Sequence, residues 1–250
     1  MDVFKTYDCN LPRIRLGEKG DGGYVFTEGF KYDVLLSGGI DNSLRFEDDF
    51  VDKYEVPCLA FDHTIDDPPP HTRDDMIQVH RTMISGKTSS QSTNLAEQLT
   101  QYKHAFVKMD IEASEWEWLD SLEKDQMNSI EQMVIEFHLT MGVTNERSEL
   151  LFDRLRIVEK LNKTHILTHI HSNNYAGEFL LNDVKYPVVF ECTYINISAL
   201  MKLSEITVTL NTRCFPTALD APNNEDREDT SYALNIEPFR YNKLELVHFV

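Results

Sequence analysis

Short apolar runs alternate with amphipathic patterns of helical period along most of the chain. The clearest runs cover residues 33–36, 57–61, 105–109, 133–137, 166–170 and 188–194, and a weaker one covers 76–84. Such alternation is typical of β-α-β units, and continuous apolar runs indicate strands that are buried on both faces. The sequence therefore predicts an α/β fold with a Rossmann-like, doubly wound and mostly parallel sheet of seven strands.

Helical patterns fill the intervals between these runs. Phe46, Phe50 and Tyr54 form an apolar stripe at helical spacing, which predicts a helix after the first run. Its N-cap is expected within residues 41–43, because Asp, Asn and Ser side chains accept hydrogen bonds from the first turn of a helix. Asn94 is expected to cap the helix that follows the third run, for the same reason.

The whole chain, residues 1–250, is expected to form a single domain. Residues 1–30 are predicted to be an N-terminal cap segment, and residues 198–250 a C-terminal extension. A longer amphipathic helix is predicted over residues 146–161.

Polar side chains follow the apolar runs at the points where the strands are expected to end. In an open parallel sheet, ligands bind outside the carboxyl ends of the strands, where the strand order reverses. We therefore expect these residues to form a pocket: Ser37, Gly38, Gly39, Asp62, Ser85, Asp110, Glu112, His138, His171, Asn173 and Asn174.

The first two runs carry a pattern that suits an adenosine ligand. Gly38 and Gly39 allow the backbone to approach a ligand closely at a strand-to-helix turn. Asp62 ends the second run, and a carboxylate about 20 residues after such a turn can accept hydrogen bonds from ribose hydroxyls. The G-x-G-x-x-G fingerprint of dinucleotide folds is absent from the sequence, which argues against a nicotinamide cofactor.

The charge balance bears on the class of partner. The chain has 42 Asp and Glu residues against 24 Lys and Arg, a net charge of -18. Such a surface repels phosphate backbones and anionic lipids, so nucleic acid is not expected as a partner. No apolar stretch suggests a signal peptide or a membrane span, and the four cysteines are scattered. We therefore expect a cytoplasmic protein with reduced thiols.

Several segments together resemble one enzyme family. The stretch from Lys108 through Asp110, Glu112 and Trp116 is similar to a conserved block of FkbM-like methyltransferases, in particular the methyltransferase-domain branch found in animals and some large viruses. Further segments resemble the same branch, in the same order: residues 15–17, 21–25, 39–41, 46–47, 134–138, 171–174 and 191–194. The chain departs from the family at Ala113, where the family has glycine, and at the 37–41 turn.

The resemblance implies a class I methyltransferase fold, S-adenosylmethionine as cofactor, and methyl transfer to an oxygen, often on a sugar or glycan. The candidate cofactor-binding residues are Gly38, Gly39, Glu47, Asp62, Ser85 and Asp110. A small molecule or a glycan is then the expected substrate.

Activation of a sugar hydroxyl needs a base or a metal ion, because the hydroxyl is barely acidic. His138 and His171 are the candidate bases, and Asp110 is the candidate to orient a base or the cofactor. The same three residues could alternatively ligate Mg²⁺ or Mn²⁺, although no residue is assigned as a metal ligand. Lys108, within a buried run, is expected to pair with Glu136.

Two other functions remain open on the sequence. One is a nicotinamide-dependent oxidoreductase on a similar sheet, against which the missing third glycine counts. The other is a module that binds the cofactor without catalysing a reaction.

Overall fold

The computed structural model describes residues 3–144, 149–181 and 184–249. Its strands, in chain order, are β1 (Tyr7–Cys9), β2 (Arg13–Gly17), β3 (Gly23–Thr27), β4 (Val34–Gly38), β5 (Cys58–Phe61), β6 (Ile77–His80), β7 (Met83–Ile84), β8 (Ser92–Thr93), β9 (Ala105–Met109), β10 (Ile130–His138), β11 (His165–Ser172), β12 (Glu178–Leu181), β13 (Val184–Pro187), β14 (Val189–Asn196) and β15 (Val208–Leu210). Its helices are α1 (Arg45–Tyr54), α2 (Ala96–Gln101), α3 (Glu115–Ser121), α4 (Lys124–Asn128), α5 (Glu149–Leu161) and α6 (Ile197–Leu200), followed by a 3₁₀ helix over Thr230–Leu234.

Among the described residues, seven strands form the central sheet in the order β11-β14-β10-β9-β4-β5-β6. Strands β6, β5, β4, β9 and β10 run parallel to their neighbours. Strand β14 lies antiparallel between β10 and β11. Strand order reverses between β4 and β9, so ligands are expected above the carboxyl ends of these two strands. This is the Rossmann-like sheet of the class I methyltransferase fold, which confirms the predicted fold class.

The antiparallel strand brings Glu191 to the binding edge of the sheet. Because β14 runs in the opposite direction, its first residues lie at the edge where β10 and β11 end. Glu191 therefore pairs in register with Glu136 on β10 and with His171 on β11.

The weak third run divides into two pieces. Residues 77–80 join the central sheet as its edge strand, β6. Residues 83–84 leave the sheet and pair with β8 instead. The division explains the weakness of the pattern, because the two pieces have different neighbours.

The predicted helix caps differ from those observed. Leu44, rather than a residue of 41–43, occupies the N-cap position of α1, although the Ser43 hydroxyl accepts a hydrogen bond from the Arg45 amide at 3.3 Å. Leu95 occupies the N-cap position of α2 in a left-handed conformation. Asn94 nevertheless accepts a hydrogen bond from the Ala96 amide at 3.2 Å. It therefore bonds to an amide of the first helical turn from the position that precedes the N-cap. The predicted helix over 146–161 starts outside the described residues, and α5 covers the remainder from 149.

Two apolar clusters cover the two faces of the sheet, as a doubly wound fold requires. Consecutive residues of the central strands alternate between them: Leu35 and Phe106 belong to one cluster, Leu36 and Val107 to the other. Helix α1 packs on the first face, and α2, α3 and α5 pack on the second.

The two terminal segments fold back onto this layer structure. Strands β2 and β3 form an antiparallel hairpin on the face of α1, where the Thr27 amide donates to Gln132 Oε1 at 2.8 Å. Strand β1 pairs with β15, which ties the N-terminal segment to the C-terminal one. In the described ranges, no helix has the length and apolar character needed to cross a membrane.

Candidate active site

Two adjoining cavities lie above the carboxyl ends of β4 and β9. The first has a volume of about 230 Å³ and is lined by residues that follow β4, β5 and β9, together with residues 82–84. The second has a volume of about 340 Å³ and is lined by the 39–47 turn, the N-terminal hairpin loop, Lys108 and Asp110. Gly39, Asp41 and Asp110 border both cavities, so one elongated ligand can extend across them.

The two glycines of the predicted turn have different functions. Gly39 has a φ of +75°, and a Cβ there would lie 1.6 Å from the carbonyl oxygen of Asp110. Only glycine fits this close approach of two chain segments. A Cβ on Gly38 would lie 2.7 Å from Ile84 Cδ1 and 2.8 Å from Met109 Sδ. Gly38 therefore serves packing below the pocket, and it lines neither cavity.

Asp62 borders the first cavity and holds the glycine turn. Its Oδ2 accepts hydrogen bonds from the amides of Ile40 and Asp41, each at 3.1 Å. Its Oδ1 accepts from the Thr64 amide at 2.8 Å and the Thr64 hydroxyl at 2.6 Å. Burial would raise the pKa of Asp62, but these hydrogen bonds lower it overall. The turn amides consequently face a carboxylate of the protein.

Glu47 and Lys108 form the floor of the second cavity. Glu47 is buried, accepts a hydrogen bond from the Ser37 hydroxyl, and lies 4.0 Å from Lys108 Nζ. Lys108 also donates to the carbonyl of Gly39. The expected pairing of Lys108 with Glu136 is therefore wrong: Lys108 is in register with Val134 of β10, so Glu136 lies two residues further along the same face, whereas Glu47 reaches Lys108 from α1, which packs on that face.

Ser85 lies just beyond the first cavity. Its hydroxyl donates to the Lys87 carbonyl at 3.2 Å, and the wall at this point is formed instead by Thr82, Met83 and Ile84. These three residues were not predicted from the sequence, because the single run expected over 76–84 placed the strand end at Ser85. Because the run breaks after β6, the cavity wall is formed by the segment that follows the break and not by the predicted end of the run.

Asp110 lies where the two cavities meet the ends of β9 and β10. Tyr24, from the N-terminal hairpin, donates its hydroxyl to Asp110 Oδ2 at 3.2 Å. Glu136 on β10 is almost fully buried, and its pKa is raised well above the usual range by burial and by the charges of Asp110 and Glu191. Asn173 donates to Glu136 Oε1 at 2.8 Å. Asp110 thus adjoins a second, buried carboxyl group, which binds a proton more readily than a free carboxyl group does.

His138 is surrounded by carboxylates. Its Nδ1 lies 3.3 Å from Glu115 Oε1, and its Nε2 lies 3.2 Å from Glu112 Oε2 and 3.4 Å from Glu136 Oε2. Burial alone would lower the pKa of His138, but the hydrogen bond and charge of Glu115 and the charges of Glu112 and Asp110 raise it. The backbone of the same residue is held as well, since the Trp116 indole donates to the His138 carbonyl at 3.3 Å.

His171 lies in a different environment. Its Nε2 is 3.2 Å from Asp229 Oδ2 and its Nδ1 is 3.5 Å from Glu191 Oε2, and it lines neither cavity. Burial would lower its pKa, but the hydrogen bond to Asp229 and the nearby charge of Glu191 raise it to about 10. A base must be neutral to accept a proton, so its role as a base stays a prediction and its surroundings favour a positioning role.

One ligand atom each from Asp110, Glu112 and His138 lie within 4.8 Å of one another. We call these residues the DEH group. The group differs from the predicted alternative of Asp110, His138 and His171, because Glu112 takes the place of His171. Glu112 has a φ of +53°, and this turn aims its side chain back towards β10.

The C-terminal segment closes the far side of the site. Asn223 donates to both Asp21 Oδ1 at 2.9 Å and Glu191 Oε1 at 2.8 Å. Asn174 accepts from the Asn224 amide at 2.7 Å and so fixes the same loop. Asn223 and Asp229 were not predicted from the sequence, because the acidic, proline-containing segment has the composition of a surface loop.

Comparisons with known proteins add limited information. No protein-family model matches the chain, and no curated protein does. Among solved structures, a Staphylococcus aureus protein assigned as a caffeoyl-CoA O-methyltransferase shares 8% identity, with a TM-score of 0.30, over 66% of this chain and 76% of that one. A variant of the 16S rRNA (adenine(1408)-N(1))-methyltransferase from Catenulisporales acidiphilia shares 10% identity, with a TM-score of 0.31, over 74% of this chain and 98% of that one. Neither likeness is strong enough to bear on activity, and the assignment of the fold rests on the order and direction of the strands.

Proposed function

We propose that the protein is an S-adenosylmethionine-dependent O-methyltransferase whose acceptor is a hydroxyl of a sugar or glycan. The observation that carries this proposal is the charge of the two cavities at the switch point of the sheet. Their walls hold seven carboxylates, from Glu18, Asp21, Asp41, Glu47, Asp62, Asp110 and Glu112. Lys108 is the one lysine or arginine among the described residues of these walls, and it is bonded to Gly39.

This charge distinguishes between two nucleotide cofactors. S-adenosylmethionine carries a sulfonium and an ammonium group against one carboxylate, so an acidic cavity attracts it. A nicotinamide dinucleotide carries a pyrophosphate, which needs free backbone amides at the glycine turn. Here the amides of Ile40 and Asp41 already donate to Asp62. The walls therefore fit the sulfonium cofactor better than the dinucleotide.

The proposed cofactor would occupy both cavities, with its adenosine in the first and its amino-acid end in the second. Asp62, Met83 and Ile84 would hold the adenosine in the first cavity. Gly39 leaves room for the Asp110 backbone, which lies directly against it. Asp21, Asn42 and Asp110 would hold the amino-acid end in the second. Gly38 and Ser85 would then act from behind the walls, through packing and through hydrogen bonds, and Glu47 would act from the wall of the second cavity.

When bound, S-adenosylmethionine supplies the methyl group, and its carbon–sulfur bond breaks with the electron pair left on sulfur, to give S-adenosylhomocysteine. The protein must hold the acceptor oxygen in line with that bond and draw off the hydroxyl proton. Asp110 lies where the cavities meet, and His138 lies behind the wall of the first cavity, in contact with Glu112; we propose Asp110 and His138 as catalytic residues. Either His138 accepts the proton itself, or it helps to hold a cation that acidifies the hydroxyl.

Further features favour an enzyme that modifies a polar substrate. Asp110, Glu136 and His138 are buried or half-buried ionisable groups, and such groups cluster at catalytic sites more often than at simple binding sites. Carboxylate and amide side chains are suitable hydrogen-bond partners for sugar hydroxyls. The acidic cavities also disfavour a nucleic acid as acceptor. Membership of the FkbM-like branch is part of the same proposal.

Binding and transfer are tested separately. S-adenosylhomocysteine should raise the melting temperature of the full chain, and NAD should leave it unchanged. The protein is then incubated with methyl-labelled S-adenosylmethionine and a panel of reducing sugars, oligosaccharides, catechols and short RNAs, and the products are identified by mass spectrometry. Label in a sugar ether supports the proposal, label in another acceptor corrects the substrate, and stabilisation without transfer to any acceptor favours a non-catalytic module.

A further inference from the structure

We propose that the DEH group of Asp110, Glu112 and His138 is a binding site for one divalent cation, of the kind for which Mn²⁺ is the probe. Cation binding is argued from the geometry alone. The role of the cation in methyl transfer rests on the proposed function.

The distances within the group are close to those around a single ion. Oxygen and nitrogen ligands lie about 2.0–2.2 Å from such an ion, so two of them stand up to about 4.3 Å apart. The three ligand atoms of the DEH group lie within 4.8 Å of one another. The Glu112 side chain is 75% exposed, so it can move by the remaining few tenths of an ångström at little cost.

His138 is oriented as a metal-bound histidine is. Such a ligand usually donates its second ring N–H to a carboxylate, which fixes the tautomer and the ring plane. Glu115 has this position: its Oε1 accepts from the His138 amide at 2.8 Å and lies 3.3 Å from Nδ1. Glu115 is fully buried, so it cannot swing away to ligate an ion itself. Its contact directs Nε2 towards Glu112 and Glu136.

The charge of the group also suits a divalent ion. Two carboxylates and one neutral imidazole balance the two positive charges of such an ion. Lys108 is bound to Gly39 and lies near Glu47, so its ammonium is engaged on the other side of Asp110. Mixed carboxylate and imidazole ligands fit Mn²⁺, and carboxylates with water fit Mg²⁺.

The position of the group connects the ion to the proposed reaction. Asp110 borders both cavities, and Glu112 borders the first. An ion there can bind the acceptor hydroxyl and lower its pKa. The proton then passes to water, the oxygen–carbon bond forms, and the carbon–sulfur bond breaks to leave S-adenosylhomocysteine.

The test is a titration of the full chain with Mn²⁺, in which electron paramagnetic resonance measures the free ion. We expect one bound ion per chain for the unaltered protein. Glu112→Gln should weaken the binding about tenfold or more, since loss of even an outer-shell partner costs 10–100-fold. Glu117→Gln is the matched control, because it removes the same charge from an exposed residue in the first turn of α3, and it should bind Mn²⁺ as the unaltered protein does.

Three results would overturn the inference. They are no binding by the unaltered protein, equal binding by Glu112→Gln, or an equal loss in both variants, which would show a general attraction of cations to the acidic surface. The same samples are tested with S-adenosylhomocysteine by thermal shift. If the nucleoside stabilises the protein while Mn²⁺ does not bind, the inference fails and the proposed function stands. If Mn²⁺ binds and the nucleoside does not, the proposed function fails and the cation site stands.

Discussion

The two ends of the candidate site are built in different ways. At the glycine end, Gly39 and Asp62 shape the pocket through backbone conformation and hydrogen bonds to amides. At the histidine end, His138 and His171 are each held between carboxylates that come from distant parts of the chain. The glycine end therefore depends on the space that the backbone leaves, and the histidine end on the balance of charge.

The difference assigns different measurable roles to the two ends. Changes at the glycine end should alter cofactor affinity, since they alter the shape of the cavity. Changes at the histidine end should alter turnover or stability, since they alter proton and charge balance beside the proposed reaction point. Within the histidine end, His138 contacts Glu112, which borders the first cavity. His171 is buried against Asp229 of the C-terminal segment.

The largest effect is expected for His138→Ala. Turnover should fall about 100-fold to 10,000-fold, which is the usual contribution of a group that handles the reacting proton. The dissociation constant of S-adenosylhomocysteine should stay within about threefold, since His138 lines neither cavity. Single-turnover rates and calorimetric binding measure the two quantities. If affinity and turnover fell equally, the claim that the two ends have separate roles would be wrong.

At the opposite end, Gly39→Ala should weaken binding of S-adenosylhomocysteine by about 100-fold, because the strain of a side chain at this φ is up to about 3 kcal/mol and the Cβ would press on Asp110. Gly142→Ala is the matched control, since Gly142 has a φ of +74° but a Cβ there would meet no atom within 4 Å. Calorimetric titration of both variants, with melting curves to show that each is folded, separates the clash from the backbone effect. If the two variants bind alike, the close approach to Asp110 does not shape the cofactor pocket.

A smaller loss, about tenfold, is expected for Asp62→Ala. The variant releases the amides of Ile40 and Asp41 and so loosens the turn, and an unmade hydrogen bond in a part-buried place costs about 1–3 kcal/mol. Asp66→Ala, in the same loop and fully exposed, should bind S-adenosylhomocysteine normally. Unchanged affinity in Asp62→Ala would show that the turn keeps its shape without the carboxylate.

The smallest effect concerns stability at alkaline pH. The pKa of His171 is raised to about 10, against about 6.5 in the unfolded chain. A raised pKa stabilises the folded state fully below pH 6.5, and this contribution disappears as the pH rises towards 10. The unaltered protein should therefore lose more of its melting temperature between pH 7 and pH 10 than His171→Gln does, by a few degrees. Parallel curves for the two proteins would show that His171 is not charged in the folded state.

The sequence predicted the glycine end better than the histidine end. Gly39 and Asp62 could be placed because each directly follows an apolar run, and the turn they share is local. Lys108 was assigned the wrong partner, because the choice between Glu47 and Glu136 depends on the register of β9 with β10 and on how α1 packs on the sheet. Ser85 was placed at the end of the third strand, but in the structure that strand, β6, ends at His80, before a break in the run.

The sequence by itself determined the α/β class, most of the strand ends and the acidic net charge of the chain, because hydrophobic periodicity and composition are local properties. Only the tertiary structure decided that β14 runs antiparallel in the central sheet, which brings Glu191 to the binding edge beside His171. It alone paired His171 with Asp229 and grouped Glu112 with His138. Contacts between residues so far apart in the chain depend on the packing of whole elements, and no local pattern records that packing.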